Sequence, residues 1–301
     1  MTTHTQATRP ATFAGLPFTD LTMILVAVIW GVNFPITKLT LNELSPPAFA
    51  ALRFAGAALV LWIIWRMREG ATPLPSATLK KLLLLGVIGN TVYQVAFTYG
   101  IKLTSAANGS LLIAITPALV AAFGTILGIE RIRRVGVVGI VLAIGGVILV
   151  LLSRGLSFSR DELIGDLLML GCAIAWTIYT LGVRSLSNEL SSLTITTWSM
   201  ISAVPGLLLI GLPDILRLSW GTVSLGAWSG LVFSMLLSLV LSYLLWNESV
   251  RVAGSNRTAI YGCVVPLVAA LTAWPTLGEV PTWLQGVGAI LIISGVLLTR
   301  R

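Results

Sequence analysis

The stretch DLTMILVAVIWGVNFPITKLTLNELS, residues 20–45, occurs twice in this chain. Its second copy, DLLMLGCAIAWTIYTLGVRSLSNELS, occupies residues 166–191, so that Trp30 pairs with Trp176 at a shift of 146 positions. A further block matches at a shift of 149, pairing Lys102 with Arg251, Pro117 with Pro266, Glu130 with Glu279 and Gly139 with Gly288. The chain is therefore a duplicated half with a small indel between the two matching blocks.

The composition indicates the solvent in which these repeats fold. Apolar residues make up 56% of the 301 positions and charged residues only 10%, against about a quarter charged in soluble domains. A helix needs about 20 apolar residues to cross about 30 Å of hydrocarbon. Ten such runs lie near residues 20–40, 46–65, 80–100, 104–128, 133–152, 163–184, 191–212, 224–247, 255–277 and 281–299. The sequence thus predicts an all-α membrane protein with ten transmembrane helices.

The odd number of helices in each half predicts how the halves are related. A tail over residues 1–19 precedes one five-helix repeat at 20–152, and the second repeat follows at 163–300. Because five crossings end on the far side of the membrane, the second repeat is inverted relative to the first. Inverted repeats typically place a substrate site at mid-depth between them, so the architecture favours a transporter.

The distribution of basic residues predicts the orientation in the membrane. With both termini in the cytoplasm, thirteen Lys and Arg residues fall in inside segments and five in outside loops, as the positive-inside rule requires. The first twenty residues precede a full-length span, which predicts no cleaved signal peptide. The net charge of +8 could also suggest nucleic-acid binding, but the charges follow helix ends without interleaved aromatics. The expected surroundings are the lipid bilayer, with no nucleic-acid partner.

Catalytic signatures are absent from the sequence. The one histidine is His4, and no carboxylate is expected near the middle of a span. The sequence lacks a zinc-protease motif, a serine-hydrolase elbow, a phosphate-binding loop and a metal-binding cysteine pair. We therefore predict no enzyme activity, no catalytic residues, no metal and no cofactor. Transport would draw on a substrate or ion gradient, either as facilitated export or exchange or as proton antiport.

Short motifs in both halves resemble one known family. They are Trp30-Gly31-Val32-Asn33-Phe34 with Lys38, Pro46-Pro47, Ala51-Leu52-Arg53-Phe54, Thr104-Ser105-Ala106-Ala107-Asn108, Val252-Ala253-Gly254-Ser255, Gly278-Glu279 and a glycine-patterned run over 286–300. Their order and spacing resemble the drug/metabolite transporter superfamily, ten-helix EamA type, over residues 20 to 300. The resemblance implies a multi-pass protein of the bacterial inner membrane. It also implies export of amino acids or related small metabolites through a central cavity by alternating access.

Two matching helix faces are candidates for the wall of that cavity. Trp30 lies halfway along the first helix, and Asn33 follows on the same face at helical spacing. The repeat places Trp176 and Tyr179 on the equivalent face of the sixth helix. We predict that these side chains bind a small-molecule substrate. The alternative is an ordinary packing face, since Trp and Tyr also occur in cores.

Further polar and aromatic residues lie deep in other helices. Tyr93 and Gln94 are central in the third helix, Tyr243 lies in the eighth, and Tyr261 precedes a proline in the ninth. We predict substrate contact for these residues as well. For Gln94, the sequence slightly favours an interhelical hydrogen bond, which membrane helices form for about 1 kcal/mol.

Pro117 and Pro266 occupy matching mid-span positions, where proline removes a backbone hydrogen bond. Paired helix breaks in the two halves of a transporter indicate a binding or gating role; the alternative is a kink that only shapes the bundle. Arg53 is the one charge predicted well inside a span, where an unpaired arginine costs about 3 kcal/mol on insertion scales. It could attract a substrate carboxylate, but the sequence favours a structural clamp on helix-end carbonyls or on Glu43.

Glycines recur along the fifth and tenth helices, where they allow close helix approach. They are Gly139, Gly145, Gly146, Gly286, Gly288 and Gly295, and they predict a scaffold or a homodimer contact. Two alternatives to an exporter remain from the sequence. One is a lipid-linked carrier or scramblase with a lateral opening, and the other is a membrane scaffold that transports nothing.

Overall fold

A computed structural model describes residues 12–13, 16–70, 74–128, 133–153 and 159–299. Two short strands, Thr12–Phe13 and Leu16–Pro17, pair in antiparallel fashion before ten helices. The helices are α1 (Phe18–Thr40), α2 (Pro46–Arg68), α3 (Ser76–Leu103), α4 (Ala106–Ile126), α5 (Arg134–Leu152), α6 (Arg160–Leu186), α7 (Ser192–Arg217), α8 (Leu225–Ala253), α9 (Ser255–Leu277) and α10 (Trp283–Thr299). Within these described ranges, nine helices are long and apolar enough to cross a membrane. The tenth, α10, has 17 residues, the lower limit for a span.

Several residues named above lie outside the described ranges. Most of the predicted tail belongs here, including His4 and Arg9. So do Glu130, the repeat partner of Glu279, and the basic residues Arg131, Arg154, Arg300 and Arg301.

Serine residues begin several helices in both repeats. The hydroxyls of Ser45 and its repeat partner Ser191 accept the backbone N–H three residues later, at 3.4 and 3.0 Å. Ser105, Ser159 and Ser224 do the same for α4, α6 and α8. An N-cap of this kind satisfies one of the free N–H groups of the first turn, so polar serine fixes where each apolar helix starts.

Four helices are interrupted at positions that the repeat relates. A π-helical segment, Val87–Val92, divides α3, and another, Ser234–Leu241, divides α8. In α4 the helix breaks at Ala114 and Ile115, and α9 contains a 3-10 segment, Tyr261–Val264. Each π segment ends just before residues predicted for the site, in agreement with the frequent occurrence of π-bulges at functional sites.

Both mid-span prolines follow such a break. Pro117 and Pro266 lie in the first turn of the helical segments Thr116–Ile126 and Val265–Leu277. A proline is tolerated there because the N–H that it lacks has no partner within the helix. A role for these prolines in gating stays a prediction.

Contacts between the halves show that the repeats are inverted. Lys38 near the end of α1 donates to the carbonyl of Thr104 at 2.6 Å. The Thr104 hydroxyl bonds to Asp166, close to the start of α6. Thus α1 ends where α6, its repeat partner, begins. The chain is an all-α membrane protein of two inverted five-helix repeats, as the sequence predicts. We call its two ends the Lys38 end and the Asp20 end.

The close packing of α5 on α10 explains most of the glycine stripe. A Cβ on Gly146 would lie 2.6 Å from the carbonyl oxygen of Gly288, and one on Gly295 would lie 2.4 Å from that of Gly139. These glycines therefore bring two helices of the same chain together. Gly145 and Gly286 differ from the expectation, because a Cβ on either would meet nothing within 4 Å. Homodimerisation stays a prediction.

Candidate functional site

A central cavity lies between the two repeats. Helices α1 to α4 of the first repeat and α6, α8 and α9 of the second all contribute to its wall. The lining residues are Trp30, Asn33, Phe34, Arg53, Tyr93, Gln94, Phe97, Ser110, Ile113, Ala114, Thr116, Pro117, Trp176, Ser238, Leu239, Tyr243, Trp246, Ala259, Gly262 and Val265. Its free volume is about 70 Å³, well below the roughly 300–1,000 Å³ of ligand pockets. The wall must therefore separate before a metabolite fits.

Four aromatic rings form the centre of this wall. Trp30 contacts Trp176 edge to face at 5.4 Å between ring centroids, and it contacts Trp246 in a tilted arrangement at 5.1 Å. Trp176 lies 5.1 Å from Tyr243, again edge to face. Edge-to-face contact is one of the two preferred arrangements of aromatic rings. The two tryptophans that the duplication pairs in sequence thus meet in the structure, on a surface suited to apolar or aromatic groups.

The π segment of α8 holds the cavity face of α1. The Trp30 indole donates to the carbonyl of Ser238 at 3.0 Å, and the Ser234 hydroxyl donates to the Asn33 side chain at 2.5 Å. A π segment departs from the α-helical hydrogen-bond register. Here the Ser238 carbonyl accepts from Trp30 and the Ser234 hydroxyl donates to Asn33, so the segment is bonded to α1 at two positions. The contact links the first repeat directly to the second.

Arg53 is buried in the cavity wall, with only 1% of its surface exposed. Its guanidinium donates to the Gln94 side-chain oxygen, and its Cζ lies 4.6 and 5.6 Å from the ring centres of Phe49 and Phe97. The Nε atom has no hydrogen-bond partner among the described residues. The sequence-based preference for a clamp on Glu43 or on helix-end carbonyls is wrong, because the side chain reaches neither and points to Gln94.

Glu43 has a different partner in the loop between α1 and α2. It accepts hydrogen bonds from the Ser224 hydroxyl at 2.6 Å and from the Ser224 backbone at 2.7 Å. These bonds, first from the side chain and then from the backbone, lower the pKa of Glu43 below its usual value. The carboxylate therefore stays ionised at neutral pH and ties this loop to the start of α8.

Two residues predicted for the cavity wall lie elsewhere. Tyr179 stacks behind Trp176 at 5.0 Å, and its hydroxyl accepts a hydrogen bond from Asn247 at 2.9 Å. It lies one turn further along α6, where α7 and α8 cover it. Tyr261 lies on an apolar groove formed by α4, α9 and α10, together with Pro266. The placement of both tyrosines on the cavity wall is corrected by this geometry.

The structure also brings unpredicted residues to the cavity. Trp246 and Phe97 lie three positions after Tyr243 and Gln94, a helical spacing that could have identified them. Helical spacing gives no signal for Gly262. It faces the cavity because the 3-10 segment turns by about 120° per residue, which directs Gly262 inward and Tyr261 outward.

Ionic contacts connect helices at both ends of the bundle. At the Lys38 end, Lys38 pairs with Glu279 at 3.0 Å. Glu279 also accepts the backbone N–H groups of Ala106 and Ala107 at 3.1 Å each, and a carboxylate is favoured at a helix N-terminus. At the Asp20 end, Arg257 pairs with Asp20 at 2.9 Å. The cavity is thus enclosed between two charged contacts, each joining the first repeat to the second.

Comparison with known families identifies the architecture. The EamA-like transporter family model matches residues 17–152 and again 163–301. This chain belongs to the EamA-like transporter family. The EamA-like repeat is present twice, in agreement with the duplication in the sequence, and the protein is a multi-pass membrane transporter.

Relatives of this EamA-like transporter cover nearly its whole length. An uncharacterized transporter of Bacillus subtilis, YyaM, is 29% identical over 90% of both chains. An uncharacterized transporter of Archaeoglobus fulgidus is 30% identical over 93% of this chain and 96% of its own. A probable amino-acid metabolite efflux pump of Salmonella typhimurium is 29% identical over 91% of both.

A protein of known crystal structure supports the fold. It is 18% identical and superposes with a TM-score of 0.69 over 94% of the EamA-like chain and 98% of its own. At that identity the likeness concerns the fold alone.

Proposed function

We propose that this protein exports amino acids or related small metabolites by alternating access through the central cavity. One observation carries the proposal: the cavity lies at the interface of two inverted repeats and takes its aromatic wall from both. Transporters of this architecture bind their substrates at that interface. The amino-acid metabolite efflux pump among the relatives supports the substrate class. We further propose the bacterial inner membrane as its location, with both termini in the cytoplasm.

The small free volume favours a closed intermediate in such a cycle. Substrate entry requires the two repeats to rock apart at one end, which breaks either the Lys38–Glu279 contact or the Arg257–Asp20 contact. Closing that end and opening the other completes the cycle. Each end therefore needs a contact that forms and breaks at modest cost, as partly exposed ion pairs do.

The lining residues bear on energy coupling. The cavity wall contains no Asp, Glu or His among its described residues, so no side chain there takes up a proton near neutral pH. We therefore propose facilitated export or exchange, driven by the gradient of the substrate.

Uptake into proteoliposomes tests the proposal. The wild-type protein should carry labelled amino acids or their acylated derivatives in a saturable manner, with little response to a pH gradient. Trp30→Ala should lower this flux at least tenfold, because it removes the ring of the first repeat that contacts Trp176 and Trp246 of the second. Trp62→Ala is the matched control, since Trp62 is a 45% exposed residue of α2 outside the cavity.

Three results would contradict the export function. They are wild-type protein that carries none of these labelled compounds, lipid scrambling in place of metabolite flux, and equal flux in Trp30→Ala and Trp62→Ala.

A further inference from the structure

We propose that the cavity selects monoanionic carboxylates that carry an apolar or aromatic body and no charged amine, and that Arg53 binds the carboxylate. The inference rests on the proposed function, because it names the substrate class of the same cavity. The charge of the cavity wall supports it, because the export of amino acids or related metabolites does not by itself specify the net charge of the substrate.

No carboxylate in the described part of the chain compensates the positive charge of Arg53. Its hydrogen-bond partner is the neutral amide of Gln94, and no described lining residue is acidic. The buried carboxylate of Asp166 is engaged at the Lys38 end by Thr104. A buried charge without a counterion is unfavourable, and an anionic substrate would supply the missing charge.

Two donors on the wall also have no acceptor within the described ranges. Arg53 Nε and Trp246 Nε1 have no hydrogen-bond partner there, and their side chains are 1% and 2% exposed. Buried donors are nearly always paired in folded proteins. A ligand oxygen bound in the cavity would give such a donor its acceptor.

The surroundings of the guanidinium favour a carboxylate as that ligand. Phe49 and Phe97 lie on it at 4.6 and 5.6 Å from Cζ, and rings so placed leave the N–H edge for hydrogen bonding. Arginine offers its donors in a fork that matches the two oxygens of a carboxylate. The indole and phenol rings beside it would contact the apolar body of the substrate.

A free α-ammonium group fits this wall poorly. It would lie beside its own carboxylate, close to the guanidinium, and like charges repel. The described wall has no carboxylate to receive it, and the aromatic rings already contact one another, as Trp30 and Trp176 do at 5.4 Å. The preferred substrate is thus an organic acid whose nitrogen is missing or acylated.

A panel of compounds with one shared body tests charge selection. The probes are 3-phenylpropanoate and N-acetylphenylalanine as anions, phenylalanine as the zwitterion and phenylalanine amide as the cation. Their flux into proteoliposomes is measured beside the rise in melting temperature that each causes in the purified protein. Wild type should carry and bind the anions at least tenfold better than the cation, and better than the zwitterion.

Two substitutions alter the charge of the cavity wall, and the first of them is nearly isosteric. Gln94→Glu places a carboxylate beside Arg53 and should lower the ratio of anion to cation flux at least tenfold. Arg53→Gln should change the ratio in the same direction. Gln285→Glu makes the same amide-to-acid change in α10 beside Asn108, away from the cavity, and should leave the ratio unchanged.

The outcomes separate this inference from the export function. Transport with no charge preference, a preference for the cation or the zwitterion, or an unchanged ratio in Gln94→Glu would overturn anion selection and leave export standing. Absence of flux, with anions still raising the melting temperature of wild type but not of Gln94→Glu, would overturn export and retain the anion site. If neither Gln94→Glu nor Arg53→Gln folds, the ratio of anion to cation flux in the wild type tests anion selection.

Discussion

Gly262 is the residue at which the cavity wall is open to a larger side chain. It lines the cavity, and a Cβ at this position would meet no atom within 4 Å. Its neighbours Tyr261 and Cys263 line the apolar groove on the other side of α9. Consecutive residues of this 3-10 segment thus line the candidate site and the apolar groove in turn.

A leucine at this position should block transport without harming the fold. Because Gly262→Leu directs an apolar side chain into about 70 Å³ of free volume, we expect metabolite flux to fall at least tenfold. The melting temperature should stay close to that of wild type, since a Cβ at this position meets no neighbouring atom.

Gly171→Leu is the control for that variant. Gly171 lies in α6, off the cavity wall, and a Cβ there also meets nothing within 4 Å. Normal flux through Gly262→Leu, or equal loss in both variants, would mean that this stretch of α9 does not face the transport route.

At the scale of elements, departures from regular helix shape the site. The π segments of α3 and α8 precede Tyr93 and Ser242, and the repeat relates the two segments. Both π segments follow long apolar runs, and the sequence gives no signal of a break in either helix. Gln94 and Tyr243 follow these segments and line the cavity. The α8 segment also bonds to α1 through the Ser238 carbonyl, which accepts from Trp30, and the Ser234 hydroxyl, which donates to Asn33.

The glycine contact between α5 and α10 gives a prediction for adjacent residues. Gly146→Ala places a Cβ 2.6 Å from the carbonyl oxygen of Gly288, so the helices must separate, at a cost of about 1–3 kcal/mol for overpacking. Gly145→Ala meets no atom within 4 Å and should be neutral or stabilising by up to about 1 kcal/mol, the helix-propensity difference.

Thermal unfolding of the two purified variants in detergent distinguishes these effects. We expect a lower melting temperature for Gly146→Ala and an unchanged or higher one for Gly145→Ala. Equal melting temperatures would show that α5 and α10 do not pack as closely as described.

At the scale of the whole molecule, charged contacts hold the repeats together at both ends. Glu279 has the larger role, because it accepts from Lys38 and from two N–H groups at the start of α4. Glu279→Gln should therefore weaken the Lys38 end, by about 2 kcal/mol for hydrogen bonds to a charged group. Asp20→Asn should weaken the other end by removing the partner of Arg257.

Side-specific labelling measures this opening. A cysteine at Ser110, which lines the cavity, is introduced after Cys172 and Cys263 are changed to alanine. A membrane-impermeant thiol reagent should label it at least threefold faster from the Lys38 side in Glu279→Gln, and from the Asp20 side in Asp20→Asn. Unchanged labelling from both sides would contradict a gating role for these contacts.

The membrane fold, the two repeats and the meeting of Trp30 with Trp176 could be predicted from the residues alone. These follow from hydropathy and from the duplication, which are properties of the linear chain. Proximity to Pro266 misplaced Tyr261, and no signal in the sequence identified Gly262, because local 3-10 geometry turns Tyr261 outward and Gly262 inward. Spacing along an α-helix failed for Tyr179, which α7 and α8 cover.

The environment of Arg53 depends on helix packing and could not be predicted. The sequence shows one charge inside a span and cannot show which helix supplies its neighbours, since Arg53 and Gln94 lie 41 positions apart. Packing places that arginine against an amide and two phenyl rings with no carboxylate among the described residues of the wall. The charge of the cavity depends on contacts between distant segments, and packing alone determines those contacts.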